Sequence, residues 1–201
     1  TFTNRAAREM TNRIQKVVGG DFSELMVGNV HRFCSKFLFE QGRIPADSAI
    51  IDDEEAVSII ADYRNEDEEG VTRDFNRYKG YQTIIFFQHF IYQLEHHHPW
   101  KYYLHPESFT DGDREAIKHI CGSQKIDYNE QAVVNIYRHA QEYMDEANAP
   151  GLDAKLADRI RVLLWKMYYA GCYARYKEEN HLFDFEDLLL FTYDIYRSDP
   201  S

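Results

Sequence analysis

The sequence predicts a mainly α fold in which one long helical stretch is set between two shorter segments of a different kind. Three observations carry this. Apolar side chains recur at helical spacing over most of the chain, including 5–17, 84–94, 130–146 and 156–172. Strand-like pieces are few: Thr1-Phe2-Thr3, the short approach to Gly28, and a short extended piece that the loop Tyr102 to Phe109 could hold. Hydrophobic residues make up 44% and aromatics 15%, which favours a packed core over disorder.

In order along the chain, Ala6, Ala7, Met10, Ile14 and Val17 define a first helix, with Arg and Glu on its other face and Gly19-Gly20 as its stop. A second helix is expected to begin near His31, with Phe33, Phe37 and Leu38 on its apolar side. Asp52 and Glu55 have the spacing of a capping box, followed by Ala56, Ile59, Ile60 and Tyr63 on one face. The charged stretch 64–80, with Glu66-Asp67-Glu68-Glu69, reads as a solvated helix or loop rather than a metal site, because consecutive carboxylates on a helix point to different sides.

Ile84, Ile85, Phe86, Phe87, Phe90, Ile91 and Leu94 then predict the most buried helix. It is expected to stop at His96-His97-His98-Pro99, where three adjacent imidazoles diverge and Pro99 blocks continuation. A metal site needs ligands about one turn apart, so a polar helix end is the reading taken and no metal is assigned. Thr110 caps a helix through Ile117, Ile120 and Cys121; further helices are expected over 130–146 and from Leu156 to Cys172, separated by Pro150-Gly151. Asp184 and Asp187 have capping spacing for a last helix.

Cys34, Cys121 and Cys172 are odd in number and far apart, so free buried thiols are expected rather than disulfides or a CxxC metal site. No apolar run is long enough for a membrane span and no signal peptide is evident; the expectation is a soluble, cytoplasmic protein with no membrane partner. The formal net charge of −11 argues against coating nucleic acid by electrostatics alone. It leaves open base stacking on aromatic side chains, which needs little net charge.

Three blocks carry a family resemblance. Thr1-Phe2-Thr3-Asn4-Arg5-Ala6-Ala7-Arg8-Glu9-Met10 resembles motif Ia of the UvrD/Rep/PcrA family of superfamily 1 DNA helicases, with Arg5 where Lys is usual. Met26-Val27-Gly28-Asn29-Val30-His31-Arg32-Phe33-Cys34 resembles the family's Gly-Thr-Phe-His-Ser-Phe-Cys segment, with Asn29-Val30 in place of Thr-Phe. Tyr173-Ala174-Arg175-Tyr176-Lys177-Glu178-Glu179-Asn180-His181-Leu182-Phe183-Asp184-Phe185-Glu186-Asp187-Leu188-Leu189 resembles the family's segment in which a long helix ending in Tyr and basic residues meets Leu-Asp-Phe-Asp-Asp-Leu-Leu; apart from these blocks, Ile50-Ile51-Asp52-Asp53-Glu54-Glu55-Ala56 resembles its Ile-Leu-Asp-Glu-Glu-Asp turn.

The resemblance implies a helical subdomain (1B-like), residues 41–175, inserted in an incomplete P-loop α/β motor domain formed by 1–40 and 176–201. It implies that Phe2 stacks on a base, that Thr3, Asn4 and Arg5 face the strand, and that Gly28, Asn29, His31, Arg32 and Phe185 contribute nucleic-acid contacts. For Phe2 the alternative is a core aromatic; for His31, a structural or merely exposed histidine; for Phe185, packing. Arg175 and Lys177 are surface candidates for phosphates.

The parent implied is an ATP-dependent DNA helicase, a 3'-5' single-strand translocase of DNA repair, replication or recombination. It would use ATP and Mg2+ and act on single-stranded DNA and DNA junctions. The family's Gly-x-x-x-x-Gly-Lys-Thr loop and magnesium-holding Asp-Glu pair have no counterpart in this sequence, so no catalytic residue and no cofactor are assigned, and the chain alone is expected to be inactive as an ATPase. Two alternatives stay open: part of an AddA/RecB-type helicase-nuclease, and an independent helical protein-interaction module.

Overall fold

The computed structural model describes residues 3–18, 27–99 and 106–198. The chain divides into two compact units, Thr1–Ile50 with His181–Ser201, and Ile51–Asn180. Among the described residues the architecture is mainly helical, and the strands are two short ones.

The first unit contains α1 (Asn4–Val18), α2 (Val30–Glu40), β1 (Ala49–Ile50), β2 (Leu182–Phe183) and α9 (Phe185–Ser198). Thr3 opens α1: its Oγ1 accepts from the Ala6 amide at 3.1 Å, satisfying one of the amides a helix start leaves unpaired. The expected strand running into Gly28 is absent at Val27 and Gly28, and α2 starts at Val30 under an Asn29 cap. Beyond α2, Gly42 takes a left-handed φ of 62° and its amide reaches the Phe39 carbonyl at 3.0 Å. That turn, which glycine makes without a Cβ clash, delivers Ile44 into the core.

This core is Cys34, Leu38, Ile44 and Leu188, flanked by Phe183, Phe185, Leu189, Phe191 and Ile195. It exists because α2 and α9 each bury one apolar face against the other. Strands β1 and β2 pair in parallel, with Ala49 opposite Leu182 and Ile50 opposite Phe183.

The second unit is built on α5 (Phe75–Glu95) and α8 (Ala154–Glu179), which pack together and carry α3 (Asp53–Tyr63), α4 (Glu68–Arg73), α6 (Asp111–Gln124) and α7 (Glu130–Arg138). Each helix start has a side-chain cap: Asp52, Asp67, Asp74, Thr110, Asn129 and Asp153 all accept first-turn amides. Asp52 with Glu55 and Thr110 with Asp113 are full capping boxes. Phe87, Ile91, Ile60, Ile117, Ile136, Leu163, Leu164 and Met167 are fully buried, each contributing roughly 1.5–3 kcal/mol of burial.

The charged stretch 64–80 resolves into α4 and the exposed start of α5, with Asp74 closing the one and capping the other. The expected helix over 130–146 stops at Arg138. The Asn135 carbonyl receives the His139 amide at 3.2 Å and lies 2.9 Å from that residue's Nδ1, and the chain continues as turns into a 3-10 segment, Met144–Asn148. The three histidines diverge as expected. His96 stacks on Tyr92 at 3.9 Å, His97 takes a left-handed φ of 54°, and His98 is buried.

A buried ion pair ties α6 to α8: Lys166 Nζ lies 2.5 Å from Asp113 Oδ2 and donates to the Ser108 carbonyl at 2.9 Å. Burial pushes the Lys166 ammonium below its usual range, and Asp113 opposes that shift. Nearby in this unit, Glu66 accepts from Tyr81, Arg77 and Arg64, and the Arg64 guanidinium lies 5.3–5.8 Å from the ring centroids of Tyr169, Trp165 and Tyr81.

Candidate nucleic-acid interface

The three motif blocks meet in the first unit, and the second block touches both others. Asn29, the α2 cap, uses its two amide atoms differently: Oδ1 accepts from the Arg32 amide at 2.8 Å, while Nδ2 donates to Asn4 Oδ1 at 3.2 Å. The same side chain therefore starts α2 and fixes the start of α1. Two residues further, the His31 ring stacks on Phe185 with centroids 4.7 Å apart and planes at 23°.

Each side chain is placed by local chemistry. His31 is in the first turn of α2, set by the Asn29 cap. Phe185 opens α9, where the Asp184 amide donates to Asp187 Oδ2 and the Asp187 amide donates to Asp184 Oδ1, both at 3.0 Å. These reciprocal bonds pin the first turn of α9 and so the Phe185 ring. Phe185 also packs against the Cys34, Leu38, Ile44 and Leu188 core.

Thr3, Asn4, Arg5 and Arg32 are exposed, whereas Gly28, Asn29, His31 and Phe185 are half-buried. Phe2 lies outside the described residues. A Cβ on Gly28 would stand 3.1 Å from Arg32 Cδ, so the bare backbone there makes room for the arginine stem. The site combines a two-ring stack, two exposed guanidinium-bearing residues and amide groups at helix starts. Stacking surfaces suit bases and exposed arginines suit phosphates.

Comparison with known proteins decides the family. The profile of the UvrD/REP helicase N-terminal domain matches residues 1–201. This chain belongs to the UvrD/REP helicase family. It is also 40% identical over 68 residues to the ATP-dependent DNA helicase SRS2 of Saccharomyces cerevisiae, covering 31% of this chain and 6% of that protein. No solved structure matches the chain. No helix among the described residues is long and apolar enough to cross a membrane.

For this UvrD/REP domain, one expected surface residue is corrected. Lys177 is 4% exposed: its Nζ donates to Gln88 Oε1 at 3.1 Å and lies 4.7 Å from the Tyr173 ring centroid. Its stem follows the inner face of α8 beside Tyr173, so it holds the helical unit together instead of reaching phosphates. Arg175 is exposed.

Sequence reading missed the Asn4 to Asn29 bond, because nothing in spacing brings positions 25 apart together. It also missed the ladder beside the site, in which Phe37 stacks on Phe33 at 6.0 Å and on Tyr196 at 5.0 Å. Tyr196 and Phe33 are exposed. The i, i+4 spacing of Phe33 and Phe37 was a visible signal for half of it.

Proposed function

We propose that this chain is the single-strand-gripping part of an ATP-driven DNA helicase motor. It comprises a 1B-like helical subdomain and pieces of the first motor domain, and in the parent it serves 3'-5' translocation in DNA repair, replication or recombination. The observation that carries this reading is that Asn29 and His31 of the second block join Asn4 of the first and Phe185 of the third. Three matches separate in sequence are joined by side-chain contacts within one unit.

On this reading Phe2, His31 and Phe185 present rings to bases, Arg5 and Arg32 meet phosphates, and Thr3, Asn4, Gly28 and Asn29 set the backbone geometry between them. Stacking is worth about 1–3 kcal/mol per base and is sequence-tolerant, which suits a translocase that must pass over any sequence. It also suits a chain of net charge −11, since affinity then rests less on counterion release.

For ATP and Mg2+, the cofactors of the family, the phosphate-binding loop is missing from this sequence. The sequence has no Gly-x-x-x-x-Gly-Lys-Ser/Thr, and Gly28, which leads into α2, is followed by Asn29-Val30-His31, with Asn29 itself occupying the Arg32 amide. The hydrolytic step lies with other parts of the parent, and this chain by itself does not turn over ATP.

The test is single-strand binding by fluorescence anisotropy with a labelled oligo(dT). Phe2→Ala and His31→Ala each weaken binding; unchanged affinity in both rejects the site. DNA-stimulated ATPase from the isolated chain would reject the division of labour.

A further inference from the structure

The segment 181–185 is tied down at both ends within the first unit. At its start, His181 takes a left-handed φ of 52°, a conformation that a residue with a Cβ keeps only where neighbours hold it. Its carbonyl accepts from the Ala49 amide at 3.1 Å and its Nδ1 lies 3.1 Å from Asp47 Oδ2. Backbone and side chain of His181 are thus both fastened to residues 47–49. At the far end, the Asp184 and Asp187 exchange starts α9 and places Phe185 on His31. Between them lies β2, whose ladder with β1 is two residues long and too short to fix its own position.

We propose that Asp47 and His181 are a positioning pair that holds β2, and through it Phe185, in place for the single-strand contact. This rests on the reading of His31 and Phe185 as that contact. Asp47 is the charged side chain set against the imidazole. The strand residues beside the pair, Ala49, Ile50, Leu182 and Phe183, carry no charge. The bond to His181 also holds the Asp47 carboxyl below the usual carboxylate range. His181 and Asp47 are substantially exposed, at 47% and 74%, so the pair is a modest clamp.

The sign of the expected effect separates positioning from bulk electrostatics. Removing the negative charge of Asp47 should by itself raise affinity for a polyanion. Positioning predicts the opposite: Asp47→Ala binds oligo(dT) roughly two- to fivefold more weakly. His181→Asn, which tolerates the left-handed backbone and keeps a hydrogen-bonding side chain opposite Asp47, keeps near-wild-type binding. Exchange of the Ala49 amide, which donates to the His181 carbonyl, reports the clamp without DNA and accelerates in Asp47→Ala. Phe185→Ala, measured beside these, tests the underlying contact.

If Phe185→Ala weakens binding while Asp47→Ala binds as well as wild type or better, the positioning role is overturned and the contact stands. If Phe185→Ala binds normally, contact and positioning fall together. Circular dichroism melts of Asp47→Ala, a change at an exposed site, distinguish loss of the clamp from loss of the fold.

Discussion

Asn29 donates to Asn4 across 25 positions of sequence at 3.2 Å while its other amide atom caps α2 through the Arg32 amide at 2.8 Å. The two roles separate by substitution. Asn29→Asp keeps the acceptor for Arg32 and loses the donor to Asn4, so thermal stability is retained while single-strand affinity falls. Asn29→Ala loses both and destabilises by about 0.5–2 kcal/mol, measured by urea unfolding.

Gly28→Ala places a Cβ 3.1 Å from Arg32 Cδ. Arg32 is exposed and its stem can swing away, so the fold loses no more than about 0.5 kcal/mol. The guanidinium moves with the stem. Affinity for oligo(dT) should fall toward that of Arg32→Ala, and adding Gly28→Ala to Arg32→Ala should change nothing further.

Lys166 and Asp113 form a pair whose side chains are 8% and 6% exposed. Lys166→Met leaves Asp113 a buried charge held by the Thr110 amide and hydroxyl, which costs about 3–5 kcal/mol. Lys166→Met with Asp113→Asn removes both charges and recovers much of that loss. Denaturant titration of the single and double variants gives the coupling.

Glu66 gives a pH signature in the helical unit. The Tyr81 hydroxyl first, then Arg77 and Arg64, hold its carboxyl below the usual range. Its stabilisation is therefore present above the unfolded carboxylate pKa and lost as pH falls through the depressed folded value. Conversely, burial and Glu66 push the Tyr81 phenol up to about 12. That contribution is present below the ordinary tyrosine value of about 10 and lost as pH rises through the folded one. Glu66→Gln should flatten the acid limb of the stability profile and lower the alkaline titration of Tyr81, seen by phenolate absorbance.

Much of the helical architecture was legible because caps and apolar periods are local. Asp52 with Glu55, Thr110, and Asp184 with Asp187 act as their spacing implied. The helix over 130–146 was overextended because Ala140, Tyr143 and Met144 continue its period, while the His139 turn ends it. Lys177 was misplaced because a long cationic side chain looks the same in sequence whether it snorkels or stays beneath an aromatic ring. The site was legible as motifs, yet the bonds that join them, Asn4 with Asn29 and His31 with Phe185, are long-range contacts that no local pattern encodes.

The most direct test of strand gripping by stacked rings is the salt dependence of oligo(dT) affinity for wild type, Phe185→Ala and Arg32→Ala. Phe185→Ala should lower affinity by roughly 5- to 150-fold, the equivalent of about 1–3 kcal/mol, with the slope of log affinity against log salt unchanged. Arg32→Ala should reduce that slope by about 0.7. Unchanged affinity in Phe185→Ala, or a loss in that variant that appears only as a reduced slope, would contradict the account.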